Sequence, residues 1–212
     1  MADPLFRADQ WNRRYERHVA PINEYVDSIS TPLWLPYVAP LHGGIEAQVL
    51  TVLRDPGPGA GQTRGSGFLS IENDDPTAER QGHLLAEVGI NPRHVLPWNA
   101  YPWYIDRAPT SAELQSGVDP ILHLIELAPS LRVVLLQGGS AKNVWNRVTN
   151  RVPRLIRDRS LTVIDTYHPG RQALWHADSA VRAARIEHQH ASFRQVAETL
   201  DIFDETSRDS AI

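Results

Sequence analysis

The chain alternates between two hydrophobic periods. From about residue 8 to 29, Trp11, Tyr15, Val19, Ile22 and Val26 recur every three or four positions, which predicts an amphipathic helix. Pro32, Pro36 and Pro40 make the next segment an extended connection. Residues 47–53 are a short apolar, β-branched run, read as a buried strand. Asp75 before Pro76-Thr77-Ala78-Glu79 has the form of a helix cap with proline in the first turn. That helix runs to about Val88 and stops at Gly89. Residues 95–98 read as a second strand, and a helical region opens at Ser111 and reaches about Ala128. Residues 131–137 form the clearest buried strand, ending at Gly138-Gly139-Ser140, with Val144, Trp145 and Val148 on the helix that follows. Residues 161–165 are a fourth strand, and a long helix occupies about 178–199. Apolar strands alternating with helices predict an α/β fold: a short, mostly parallel four-stranded sheet with helices on both faces.

Composition narrows the setting. The 212 residues fit one domain over 1–200, followed by a tail that is expected to be loose, where Asp201, Asp204, Glu205 and Asp209 crowd. No apolar run reaches membrane-spanning length, and Met1 to Arg7 lacks the apolar core of a signal peptide. With no cysteine there is no disulfide and no thiolate metal site. The expectation is a cytoplasmic monomer. The net charge of −4 gives no general basic surface, although a local patch can outweigh the total. Lys142 is the single lysine; the other cations are arginines, of which Arg64, Arg171, Arg182 and Arg185 lie near candidate site loops. His188 and His190 stand on different faces of a helix, and no other histidine spacing suggests a metal. No metal or cofactor is expected.

The chemistry gathers at strand ends. The first strand stops at Arg54-Asp55, and Pro56-Gly57-Pro58-Gly59 opens a loop poor in side chains that continues to Gly65-Ser66-Gly67-Phe68. Glycines there permit close approach of a ligand, and prolines fix the path. Trp98-Asn99-Ala100 and Tyr167-His168-Pro169-Gly170 each end another apolar run. Open α/β sheets bind ligands at the carboxyl ends of their strands, so Asp55, Asn99 and His168 are expected to meet at one edge. An Asn amide matches an amide-like edge such as O4/N3 of uracil, and a ring such as Phe68 offers a stacking face. A His donates to a developing oxyanion, and an Asp holds water and offsets a cationic sugar. Each residue also has a plain structural reading. Asp55 is a turn acid, Phe68 a core anchor under the loop, Asn99 a turn-bonding side chain and His168 a partly buried structural histidine. Trp98, Trp103 and Tyr104 read as cover for the sheet edge.

Taken in order, Arg54-Asp55-Pro56-Gly57-Pro58, Gly67-Phe68, Asn99 and His168-Pro169-Gly170 resemble the motifs of the uracil-DNA glycosylase superfamily. The likeness spans roughly residues 45 to 195. The Asp-Pro-Gly-Pro arrangement is most similar to the single-strand-selective monofunctional branch, where the acid's position is usually Asn; the classical enzymes carry Asp there. His-Pro-Gly departs from the usual His-Pro-Ser. The resemblance implies Asp55 and His168 as catalytic groups, the first for water and the sugar cation, the second as donor to the uracil O2. It implies Phe68 as the stacking ring and Asn99 as the base reader. Gly57 stands where the classical enzymes have a Tyr beside uracil C5, which leaves room for a substituent. Backbone amides around Gly57 and Pro58 are expected to hold a phosphate. The segment His168 to Trp175, through Arg171, Gln172 and Leu174, is expected to enter the gap left by a flipped base. The implied partner is uracil-containing DNA, single- or double-stranded. A silent member that binds DNA or nucleotides, and a small-molecule hydrolase using Asp55 and His168, remain open alternatives.

Overall fold

The computed structural model describes residues 1–63, 65–105 and 107–201. Arg64 and the acidic tail beyond Asp201, both named above, lie outside the described residues.

The strands are β1 (Tyr37–Val38), β2 (Val49–Leu53), β3 (Phe68–Leu69), β4 (Val95–Asn99), β5 (Val133–Gln137) and β6 (Thr162–Thr166). The four longer ones form an all-parallel sheet in the order β4-β2-β5-β6, as the alternating pattern predicts. β1 and β3 pair as a separate parallel ribbon where a connection and a loop were expected. Two residues are too few for a period to show. The helices are α1 (Pro4–Asn12), α2 (Ala20–Ile29), α3 (Pro76–Glu87), α4 (Ser111–Ser116), α5 (Val118–Leu127), α6 (Gly139–Arg151), α7 (Leu155–Asp158), α8 (Arg171–Leu174) and α9 (Ser179–Thr199). None is long and apolar enough to cross a membrane.

Leu53 lies opposite Asn99, and Gln137 opposite Thr166, so the strands end together at one edge. Side chains alternate, which puts Val49, Val95 and Val133 on the same face as Thr51, Asn99, Gln137 and Thr166. The amino-terminal part of that face is apolar and packs with Leu84 and Leu85 of α3 and Phe193 and Val196 of α9. Toward the carboxyl ends the same face turns polar. The opposite face stays apolar: Leu50, Val52, Leu96 and Leu136 pack with Ile22 of α2, Ile121 of α5 and Val144 of α6.

Two expected helices are broken. The first splits into α1 and α2, because Pro21 has no N–H to donate and its ring would clash with the carbonyl four residues back; it sits instead in the first turn of α2. The region from Ser111 splits into α4 and α5 at Gly117, where a Cβ would lie 1.8 Å from the Ala100 carbonyl oxygen. That close approach seats the α4–α5 corner on the backbone immediately after Asn99. α3 starts as expected, with Asp75 Oδ1 accepting from the amides of Thr77 and Ala78.

Candidate functional site

The carboxyl ends of the strands open onto a cleft of about 1000 Å³. β2 delivers Asp55 to it, β4 Asn99, β5 the turn Gly138-Gly139-Ser140, and β6 His168. Three expected residues from three strands thus share one cavity.

The loop after β2 is fixed from several sides. The Ala100 amide donates to the Leu53 carbonyl at 2.8 Å and the Tyr101 amide to the Arg54 carbonyl at 3.0 Å, which ties the Asp55 turn to the end of β4. The Asp55 side chain is only 4% exposed and pairs with the half-exposed Arg54 guanidinium. Gly57 has an extended backbone, φ −77 and ψ 170, and open space where a Cβ would stand. Pro58 opens a single 3₁₀ turn, Pro58–Ala60. Gly59 is different: a Cβ there would lie 2.5 Å from Asp75 Oδ2, so a side chain would press on the carboxylate that caps α3. Gly67 has φ +80 and lies under the Trp11 ring, whose Nε1 donates to the Ser66 carbonyl at 3.1 Å. Asn73 lines the cleft and holds the far end of the loop, donating to the Phe68 carbonyl at 2.9 Å.

His168 is held neutral. Burial, and secondarily the charge of Arg54, pushes its imidazole down to about 4. Its Nδ1 accepts from the Gly170 amide at 2.9 Å. The neutral ring therefore carries its proton on Nε2 as a donor. A Cβ at Gly170 would stand 2.9 Å from Nδ1, so a side chain there would press on the imidazole. Gly138, at φ +99, lets the β5 turn pass against the His168 Cβ.

Asn99 is 2% exposed, and its Nδ2 has no hydrogen-bond partner among the described residues. Thr51 Oγ1 and Gln137 Oε1, on the same sheet face and lining the same cleft, are likewise buried without partners. Buried polar groups are nearly always paired, so these three, in residues that line one cavity, are the candidates for bonding a ligand there. Sequence reading passed over Gln137, Thr51 and Gln81 of α3. The signal for Gln137 is the one that pointed to Asn99, a polar residue closing an apolar strand.

Two expected residues lie elsewhere. The Phe68 ring is 0% exposed and packs against Trp11 and Tyr37, with centroids 4.9 Å and 6.3 Å away; the neighbouring Leu69 lines the cleft. Strand alternation in β3 turns Phe68 away from the cavity, so its expected stacking role gives way to the core-anchor reading. Arg171 and Gln172 of α8 are exposed at the cleft, but Leu174 turns into a neighbouring hollow with His83 and Ile186. The exposed apolar side chain of that segment is Trp175, at 65%. Arg185 Nη1 donates to the carbonyls of Ala173 and Trp175, and Arg182 to those of His176 and Ala177, so both brace this segment from α9. Trp103 donates to the Ile29 carbonyl at 2.9 Å, Trp34 and Tyr104 pack edge to face, and none of the three lines the cleft. Lys142 pairs with Asp165, also outside the cleft. Among the described residues no three His, Cys, Asp or Glu side chains are grouped to hold a metal ion.

No model of a known protein family matches the chain, and no curated protein matches it.

Proposed function

We propose that the protein is a DNA glycosylase of the uracil-DNA glycosylase type. It takes a uracil-type base out of DNA into the cleft, hydrolyses the N-glycosidic bond and leaves an abasic site. The observation that carries this reading is the convergence of Asp55, Asn99 and a neutral, Nε2-protonated His168 on one cleft. As the C1′–N1 bond breaks, its electron pair passes to the base and positive charge grows on the sugar. His168 Nε2–H donates to the base oxygen that gains charge, and a neutral imidazole does so without transferring its proton early. The Asp55 carboxylate offsets the sugar cation and orients a water whose oxygen adds to C1′, taking up the proton that water releases. Asn99 binds the base edge. Arg171 and Gln172 are exposed at the mouth, and in this reading they contact the DNA backbone. Lys142 lies outside the cleft, in keeping with hydrolysis by water and no lysine adduct.

The Phe68 ring packs away from the cleft, and this favours one second reading, a protein that binds a nucleotide or DNA without cleaving it. One assay separates the two. Oligonucleotides carrying a single uracil, single-stranded and duplex, are incubated with the protein, and free base and abasic sites are measured. Release of uracil by the wild type and its loss in Asp55→Asn supports the glycosylase. Binding without release supports the second reading.

A further inference from the structure

The cleft floor carries a second side-chain amide. Gln137 closes β5, is 1% exposed, and donates through Nε2 to Gln81 Oε1 at 3.0 Å, leaving its own oxygen without a partner among the described residues. Asn99 alone is a weak discriminator. Its amide turned end for end exchanges donor and acceptor, and so suits uracil or cytosine equally. Gln137 can turn only together with Gln81; with Gln81 Oε1 accepting from its NH₂, the atom it has left to offer a ligand is its oxygen. The strand order then matters. The sheet order is β4-β2-β5-β6, so Asn99, a donor through Nδ2, and Gln137, an acceptor through Oε1, stand two strands apart, and His168 beyond β6 donates through Nε2–H on the far side of Gln137.

We propose, building on the glycosylase reading, that the Gln81–Gln137 pair determines base specificity by accepting the ring N–H of an imide. Uracil presents acceptor, donor, acceptor along O4, N3–H and O2, the complement of this wall. Cytosine presents an amine and a bare ring nitrogen, which would face the Gln137 oxygen lone pair to lone pair. An isolated amide contact to a pyrimidine edge discriminates little. A fixed buried acceptor rejects a base lacking the matching N–H far more strongly, because its own group is then left unpaired. The class of ligand is therefore any base with an imide edge, and the excluded class is its amino parent or an N3-alkylated form.

The test compares wild type, Gln137→Leu, Gln137→Glu and Gln81→Leu on oligonucleotides carrying uracil, 3-methyluracil or cytosine, with melting temperature recorded for each. Gln137→Leu should lower kcat/KM for uracil about tenfold or more and shrink the ratio of uracil to 3-methyluracil. Gln137→Glu keeps an acceptor in place and should retain the uracil preference. Gln81→Leu lets the Gln137 amide turn, so cytosine release should rise relative to uracil. A folded Gln137→Leu protein with the wild-type ratios overturns the proposal while leaving the glycosylase reading intact. If the wild type releases no base, the glycosylase reading falls, and calorimetric titration with free uracil and cytosine takes over. Uracil-selective binding that Gln137→Leu abolishes then upholds the fixed acceptor; equal binding of the two bases, or none, overturns it. Should Gln137→Leu fail to fold, Gln137→Glu and Gln81→Leu decide by the same ratios.

Discussion

Acidification should destabilise the protein through His168. Burial and the nearby Arg54 push this imidazole down to about 4, against an ordinary value of about 6.5. Between those values the unfolded chain takes up a proton that the folded chain refuses. Stability is therefore fully present above about pH 6.5 and falls as pH drops toward 4. At roughly 1.4 kcal/mol per unit, the full difference is about 3.5 kcal/mol, of which about 2 kcal/mol is already lost at pH 5. His42, fully buried in the cleft wall and also pushed down to about 4 by burial, acts with the same sign, so the wild-type curve reports both rings. His168→Asn isolates one share. Urea unfolding at pH 7.5 and pH 5.0 should show the wild type losing about 2 kcal/mol more than this variant over the interval. Ring-labelled NMR should show His168 titrating near 4 and, at neutral pH, protonated on Nε2. Arg54→Met should move the titration upward, because the Arg54 charge contributes to the shift. A ring that titrates near 6.5, or a variant with the wild-type pH slope, would refute the neutral donor on which the mechanism rests.

The other expectations are simpler. Asp55→Asn should slow base release about 10²-fold or more while gel-shift binding persists; a wild-type rate would leave Asp55 a turn acid. Asn99→Asp replaces a donor with an acceptor and should weaken uracil release, read as kcat/KM, with no change if the residue stands outside the base site. Wild type should release C5-substituted uracils such as hydroxymethyluracil, and Gly57→Tyr should narrow that range toward plain uracil. The extended backbone and open space at Gly57 allow the side chain, so the melting temperature should hold; an unaltered substrate range would place the C5 side of the base elsewhere. Gly59→Ala should cost about 1 kcal/mol or more in denaturant unfolding by pressing on the Asp75 cap, and an unchanged midpoint would mean the loop shifts freely.

The sheet was legible because its strands are apolar runs bounded by punctuation: the acid and prolines after Leu53, the glycines after Gln137, the His-Pro after Thr166. The same punctuation exposed Asp55, Asn99 and His168, since a polar residue ending a buried strand has nowhere to point but the sheet edge. Breaks inside helices were harder to see. Pro21 and Gly117 interrupt an apolar rhythm that runs on past them, and the contact that explains Gly117 is the backbone of Ala100, distant in sequence. Phe68 shows the limit of motif order. Its place after Gly67 fits the expected pattern, but which way a ring points from a two-residue strand depends on partners far along the chain, here Trp11 and Tyr37. Gln137 went unweighted because its value lies in a bond to Gln81, distant in sequence.

The half-apolar, half-polar face of the sheet has a consequence for anyone seeking a hardier version of this molecule. Thr51, with a buried hydroxyl lacking a partner among the described residues, is where a stability screen would find easy gains. Thr51→Val removes an unpaired polar atom at constant shape, a change whose benefit runs to about 1 kcal/mol. Asn99 and Gln137 would tempt the same screen. Selection for thermal resistance alone should therefore erode this row first, turning the cavity floor apolar while the fold improves. Variants recovered in that way would be stable proteins whose cleft floor offers no polar group at these positions.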